Sequence, residues 1–398
     1  MFLKVCALFF CTYVILLSNI SYSDQFIDFG NDVKLTYKNG NLNKDTYNGF
    51  ASNVSLFERE KLFGTIKTLK IDSQKTQNGK SNINLISLKG INLFDDDVGF
   101  NITIEKFEVS DFDPEIFQYD YSNGKVPNYK FEEHKNFSLN LTGIKIASND
   151  FDLKISSINF PKIKYGVLSS GQEFAKNSTF EINGFSFIPN PENIEMLPLN
   201  VILASIGQQS LKMDLLGKAI VDDKGLFLDM ISNFDFNIIG AASLKTSLNY
   251  LVPIDTYNYF YNNSSLIEEM QSQNFENLDN FNNEILMELG KIQLSKISIK
   301  IEDLGARKPL LIMYASSAGI SEEEALGLIN MTIQGLFSQF IPANADKFSE
   351  NISQFLIEGG EIELTVSPPN PLPLISAAGL FVMPDLAIES LGVKLQTR

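Results

Sequence analysis

The chain carries one histidine, His134, and two cysteines, Cys6 and Cys11. Any pairing of a hydroxyl or thiol nucleophile with an imidazole base would have to be built on His134. That histidine stands in Phe131-Glu-Glu-His134-Lys135, a charged run that reads as a solvated loop. One histidine cannot supply the three or four nitrogen and sulfur ligands of a zinc site once the cysteines are discounted (see below). Ser122-Asn-Gly-Lys125 has the Ser-x-x-Lys form of some acyl-transfer enzymes. It lies among turn-forming residues without the companion motifs, and reads as a turn. No Gly-x-Ser-x-Gly, Walker or dinucleotide-binding glycine pattern occurs.

Carboxylate clusters are the remaining chemistry. Asp95-Asp96-Asp97 and Asp111-Phe112-Asp113-Pro114-Glu115 each adjoin a strand and could ligate calcium or form a glycosidase acid–base pair. Neither has EF-hand spacing, and the chain has no tryptophan of the kind that lines sugar sites. Solvated turns are the expectation. Arginine occurs only at Arg59, Arg307 and Arg398. Asp303 and Arg307 are expected to form a structural ion pair or cap. No catalytic, cofactor-binding or metal-ligating residue is therefore assigned, and no cofactor is expected.

The chain is 398 residues long with 44% hydrophobic residues, enough for a packed core in two domains or one elongated one. The formal charge of −16 argues against a phosphate-neutralising surface for nucleic acid. Met1 to Lys4 carries one positive charge, Val5 to Leu17 is apolar apart from Thr12, and Ser21-Tyr22-Ser23 supplies small residues. Residues 1–23 thus read as a secretory signal peptide cleaved before Asp24. An apolar run of about 13 residues is too short to span a bilayer comfortably. Both cysteines fall inside it, so the exported chain would have neither disulfides nor thiol chemistry, and it is expected in the periplasm.

Two patterns organise the next two hundred residues. Ile66-Lys-Thr-Leu69-Lys-Ile71 has apolar residues at relative positions 1, 4 and 6, and the spacing returns at Ile104, Ile155 and Leu294. A strand alternates faces with period two, so a polar pair between apolar residues demands a bulge. The second pattern is apolar, polar, glycine, apolar, polar, apolar: Leu88 to Leu93, Leu141 to Ile146 and Ile182 to Phe187. Glycine within a strand signals a bend or a close backbone approach. The stretch Leu141 to Phe160 shows both patterns, joined by a Ser148-Asn-Asp150 turn. Residues 61–252 are expected to be antiparallel strands, with one face rich in Phe, Ile and Leu, and with Asp222-Asp-Lys-Gly225 as a hairpin turn.

From residue 254 the character changes, and Ser265 to Leu289 reads as one or two helices. Beyond 291 the pattern is mixed. Ser321 and Glu324 form a capping box before a helical run, and a helix over Asn344 to Ile357 stops at Gly359-Gly360. Glu361 to Val366 is a strand, followed by a proline-rich extended segment, short helices over Leu374 to Leu380 and Asp385 to Leu391, and a last strand from Val393. The expected fold is α+β, mostly β: a long twisted antiparallel sheet of diverged β-repeats with helices packed at the C-terminal end. The regions are a signal peptide (1–23), β-repeats (24–253), a helical connection (254–290) and a mixed α/β part (291–398).

The order of features at the C-terminal end resembles a group of exported proteobacterial proteins of uncharacterised function. It rests on Leu294 to Ile301, Asp303-Leu-Gly-Ala-Arg307, Ala315, Gly319-Ile-Ser321, Phe355-Leu356, Ile362 to Val366, Pro369, Pro371, Pro373 and Leu391-Gly-Val393. The upstream repeats are similar to AsmA-like envelope proteins. That resemblance implies a twisted sheet with an apolar groove and a part in lipid movement or outer-membrane homeostasis. Unlike those proteins, this chain is expected to retain no N-terminal membrane anchor. The expected function is non-enzymatic: binding of a lipid or other apolar partner along a sheet groove, at most peripheral to a membrane. The alternatives are a structural or interaction protein of the envelope with a filled core, and a hydrolase.

Overall fold

The computed structural model describes residues 26–28, 33–43, 48–58, 60–75, 81–95, 99–112, 137–263, 283–380 and 382–398. The signal segment, the Ser122–Lys125 turn, His134 and most of the stretch expected to be helical before residue 283 lie outside them. The chain folds as two compact units, Met1–Ile163 with Phe180–Asn193, and Lys164–Thr179 with Ile194–Arg398. Both are built on antiparallel sheet, and most of the described helices lie toward the C-terminal end, as the sequence led us to expect; all of them belong to the second unit.

The first unit is a meander. Its strands are β1 (Phe26–Asp28), β2 (Val33–Gly40), β3 (Gly49–Glu58), β4 (Lys61–Lys75), β5 (Ser81–Asp95), β6 (Phe100–Phe112), β7 (Ser138–Ala147) and β8 (Phe151–Phe160). Each pairs antiparallel with the next. The later part of β10 (Glu173–Pro189) then pairs with β8. The expected β7–β8 turn forms: Ser148 Oγ accepts from the amides of Asp150 and Phe151, the short-range bonding that suits serine to turns. The apolar face forms one core. Leu35, Leu69, Ile83, Leu88 and Ile91, among others, are 0–1% exposed and pack in a single cluster running from β2 to β7.

Within the first unit the two sequence patterns prove to be the two sides of one structural feature, whereas at Leu294 the polar pair carries a one-sided register shift opposite Asn249 and Tyr250. Asn53, Gly90, Gly143 and Gly184 all have left-handed backbone, at φ of 52°, 61°, 63° and 63°. Opposite and between them lie Lys67, Glu105 and Ser156, the polar residues of the other pattern. Along this row the pairing steps over one or two residues on each strand: Ile66 faces Ile91 while Thr68 faces Lys89, and Thr103 faces Lys145 while Lys106 faces Thr142. The same step recurs between β3 and β4, β5 and β6, β7 and β8, and β8 and β10. A row of unpaired steps, equal on both strands and leaving the register unchanged, thus crosses the meander from β3 to β10 at one level. Period-two alternation alone would turn a residue three positions on to the opposite face. The row returns it to the same face, so that Ala51 and Val54, Ile66 and Leu69, Leu88 and Ile91, Ile104 and Phe107, and Leu141 and Ile144 are all buried. The sequence placed the irregularity on the polar-pair strands. The structure puts the left-handed residue on their glycine- or asparagine-bearing partners, because these residues tolerate positive φ.

The second unit holds β9 (Lys164–Val167) paired with the start of β10, then β11 (Leu211–Asp223), β12 (Phe227–Ile238), β13 (Ala242–Pro253), β14 (Gln293–Asp303), β15 (Glu361–Val366), β16 (Leu372–Pro373) and β17 (Lys394–Thr397). β11 to β15 pair in sequence order, β17 adds to β15, and β16 pairs with the beginning of β14. Its helices are α1 (Leu197–Ser205), α2 (Ile254–Asn262), α3 (Asn283–Lys291), α4 (Arg307–Ala318), α5 (Glu322–Phe340), α6 (Ala345–Glu358), α7 (Leu374–Leu380) and α8 (Pro384–Ser390). The capping box of α5 forms: Ser321 Oγ accepts from the Glu324 amide, and Glu324 accepts from the Ser321 amide. These bonds hold the Glu324 carboxyl below its usual range.

Helix α1 interrupts a segment expected to be strand, and α2 opens the expected helical connection ahead of Ser265, where the helical reading began. The tyrosine- and asparagine-rich α2 is a poor helix former on its own and is held by tertiary contacts. Buried Thr256 donates to Glu288 at 3.0 Å, and Tyr257 donates to the Glu173 carbonyl at 2.7 Å beside a core of Leu168, Phe174, Val221, Leu228 and Val252. Burial, with Tyr261 and Tyr165 nearby, pushes the Tyr257 hydroxyl up to about 12. The folded state thus keeps this proton where the unfolded chain, titrating near 10, has lost it. Its contribution is complete below pH 10 and drains away between pH 10 and about 12. Tyr257→Phe is expected to cost about 1 kcal/mol at neutral pH and to flatten the fall in stability across that alkaline window, as read by urea unfolding at a series of pH values.

Candidate functional site

Of the residues singled out for chemistry, the structure describes Asp95, Asp111, Asp303 and Arg307. His134, Asp96, Asp97, Asp113 and Glu115 lie outside the described residues. Asp95 ends β5, and Asp111, near the end of β6, is held by Lys162 at 3.1 Å. Among the described residues no group of three or more His, Cys, Asp or Glu side chains is placed to hold a metal ion.

Asp303 and Arg307 form the expected structural pair. Asp303 ends β14, and its carboxylate accepts from the amides of Gly305 and Arg307 at 3.1 and 3.0 Å, capping the start of α4. Arg307 Nε donates back to it at 3.3 Å, and Nη1 donates to the Leu356 carbonyl near the end of α6. One short network therefore ties the end of a strand to the first turn of one helix and the last turn of another.

What that network frames is a cavity of about 350 Å³. The β12–β13 turn contributes Ala241, the sheet Ala242 and Ile301, α4 contributes Leu310, Leu311 and Tyr314, and α5 and α6 complete the wall with Leu326, Ile329 and Phe355. Asp303 and Arg307 lie at its polar margin. A concave, largely apolar wall with a few fixed polar groups is the form of a small-ligand site. The lining offers contact area and no nucleophile paired with a base.

The cavity opens on a sheet face that is also incompletely covered. Register places Phe234, Thr246 and Ile299 in one row, Leu244 and Ile301 with Phe236 in the next, and Leu248 with Ile297 in a third, all on the same side. Phe234, Leu248 and Ile301 remain 38, 39 and 41% exposed, where a core strand would bury them. Ile301 belongs to both cavity and face. The opposite side of these strands carries a polar recess of about 310 Å³ with Lys218, Asp235, Lys245 and Lys300. Its charges are largely matched within the sheet, Lys245 standing opposite Asp235 and Lys300 pairing with Glu361.

A family model described as "Uncharacterized protein" matches residues 233–398. The match begins within β12 and takes in the cavity, the Asp303–Arg307 network and the exposed sheet face from Phe234 onward. The C-terminal likeness to proteins of uncharacterised function therefore starts some sixty residues earlier than Leu294, where sequence order first suggested it. No curated protein matches the chain.

Proposed function

We propose that the chain is a non-enzymatic protein of the bacterial envelope, exported to the periplasm after loss of residues 1–23, that binds a lipid acyl chain or a comparable apolar ligand in the second unit. The observation that carries this reading is the junction of the 350 Å³ apolar cavity with an exposed apolar sheet face through Ile301. A flexible apolar chain gains from leaving water along such a surface, by about 0.8 kcal/mol per buried methylene. The likeness of the repeats to AsmA-like proteins, and of the C-terminal order to exported proteobacterial proteins, agrees with a lipid ligand.

The first unit favours a second role. Its apolar face is already filled from β2 to β7, so it suits a scaffold or interaction module better than a trough. On this reading the ligand groove belongs to β11–β14 and the helices beside them.

Native mass spectrometry of the purified full chain, with uptake of a fluorescent fatty acid as a second measurement, tests the proposal. Expected are a co-purifying lipid mass and saturable uptake, weakened at least about tenfold by Leu310→Asp, which puts a charge on the cavity wall at a half-exposed position. No bound mass together with no saturable uptake overturns it, as does uptake that Leu310→Asp leaves unchanged.

A further inference from the structure

Helix α1 stands out as an apolar element in the wrong place for a globular core. Its nine residues, Leu-Pro-Leu-Asn-Val-Ile-Leu-Ala-Ser, contain no charge, and none occurs from Met196 through Leu211. A helix that is apolar on all sides is ordinarily enclosed by protein or by lipid. Here only Leu203 is buried, while Ile194 in the preceding turn is 84% exposed and Leu197 and Val201 about half exposed. Ile194, Leu197 and Val201 recur at helical spacing on the side away from Leu203, and Ile202 extends the patch. Among the described residues no helix is long and apolar enough to cross a membrane, and nine residues would rise only about 14 Å.

We infer that this helix, with Ile194 before it, docks the protein on a lipid bilayer, its apolar side entering the interface without spanning it. Charge selects the kind of bilayer. Anionic membranes recruit proteins through clustered lysine and arginine, whereas this patch is flanked on its N-terminal side by Glu192 and Glu195 in a chain of net charge −16. The partner is therefore a zwitterionic lipid surface, engaged by apolar burial with little electrostatic help. The inference goes beyond ligand uptake in the cavity and does not depend on it.

Flotation of the full chain with phosphatidylcholine vesicles tests it. Wild type is expected to float, and Val201→Asp to reduce binding at least about tenfold while leaving thermal unfolding and fluorescent fatty acid uptake unchanged, since Val201 is exposed. Because the chain has no tryptophan, Val201→Trp adds a single reporter whose emission should shift to the blue on mixing with the same vesicles. Failure to float, or flotation that Val201→Asp does not reduce, overturns the inference. So does binding confined to vesicles containing phosphatidylglycerol. A concentration-dependent dimer that Val201→Asp dissolves, without vesicle binding, would assign the patch to a second copy and also overturn it. Loss of fatty acid uptake through Leu310→Asp with flotation intact would separate the two sites.

Discussion

Gly90→Val is expected to destabilise the first unit by about 3 kcal/mol, one of the two largest effects of any substitution considered for this chain. Two costs combine. Gly90 holds φ at 61°, where a β-branched residue is penalised by contact of its side chain with the backbone. A Cβ built there would also come within 2.9 Å of Lys67 Cβ on the neighbouring strand. That atom sits next to the backbone, so it cannot swing aside as a side-chain end could. Gly90→Asn meets the same Cβ contact but should cost less, about 2 kcal/mol, because asparagine visits the left-handed region and already occupies it at Asn53 in the same row. Urea unfolding of both variants, followed by a probe in the first unit, gives the comparison. Equal losses for valine and asparagine would mean that side-chain crowding, and not backbone hand, sets the requirement for glycine.

The row explains how far the sequence could be read. Both motifs were visible, and the need for a bulge followed from two polar residues standing between apolar ones. That the motifs face each other is a statement about register, which no single strand contains. The intervals between the glycines, 53 and 41 residues, conceal the regularity because stretches of different length intervene between equivalent strands. The C-terminal elements were more legible. Ser321 with Glu324, and Gly359 after the last turn of α6, are local signals that act within one turn of chain. Helix α1 was not legible because amphipathic period is the usual helix signal, and α1 has none; Pro198 in its first turn was the remaining clue. Helix α2 depends on Thr256 and Tyr257 reaching partners 32 residues later and 84 residues earlier, which local propensity cannot foresee. The cavity is harder still, since its walls come from the ends of two strands and from three helices spread over more than a hundred residues.

Asp303 is where legible sequence and candidate site meet, and Asp303→Ala is expected to cost the second unit about 3 kcal/mol. The substitution removes an acceptor from the Gly305 and Arg307 amides at the start of α4 and takes the carboxylate from Arg307, whose side chain is only 19% exposed. Arg307 would keep the Leu356 carbonyl but stand as a partly buried charge without its counter-ion. Much of the loss comes from that stranded charge, so adding Arg307→Met should restore about 1 kcal/mol relative to Asp303→Ala alone. Asp303→Asn retains an oxygen for the cap and loses only the ion pair, and should fall between wild type and alanine. Urea unfolding of the four proteins separates cap from charge. Because the same pair ties α4 to the end of α6 at the margin of the cavity, the alanine variant should also take up fluorescent fatty acid more weakly than wild type. If its stability falls while uptake stays unchanged, Asp303 and Arg307 hold the fold together without shaping the site.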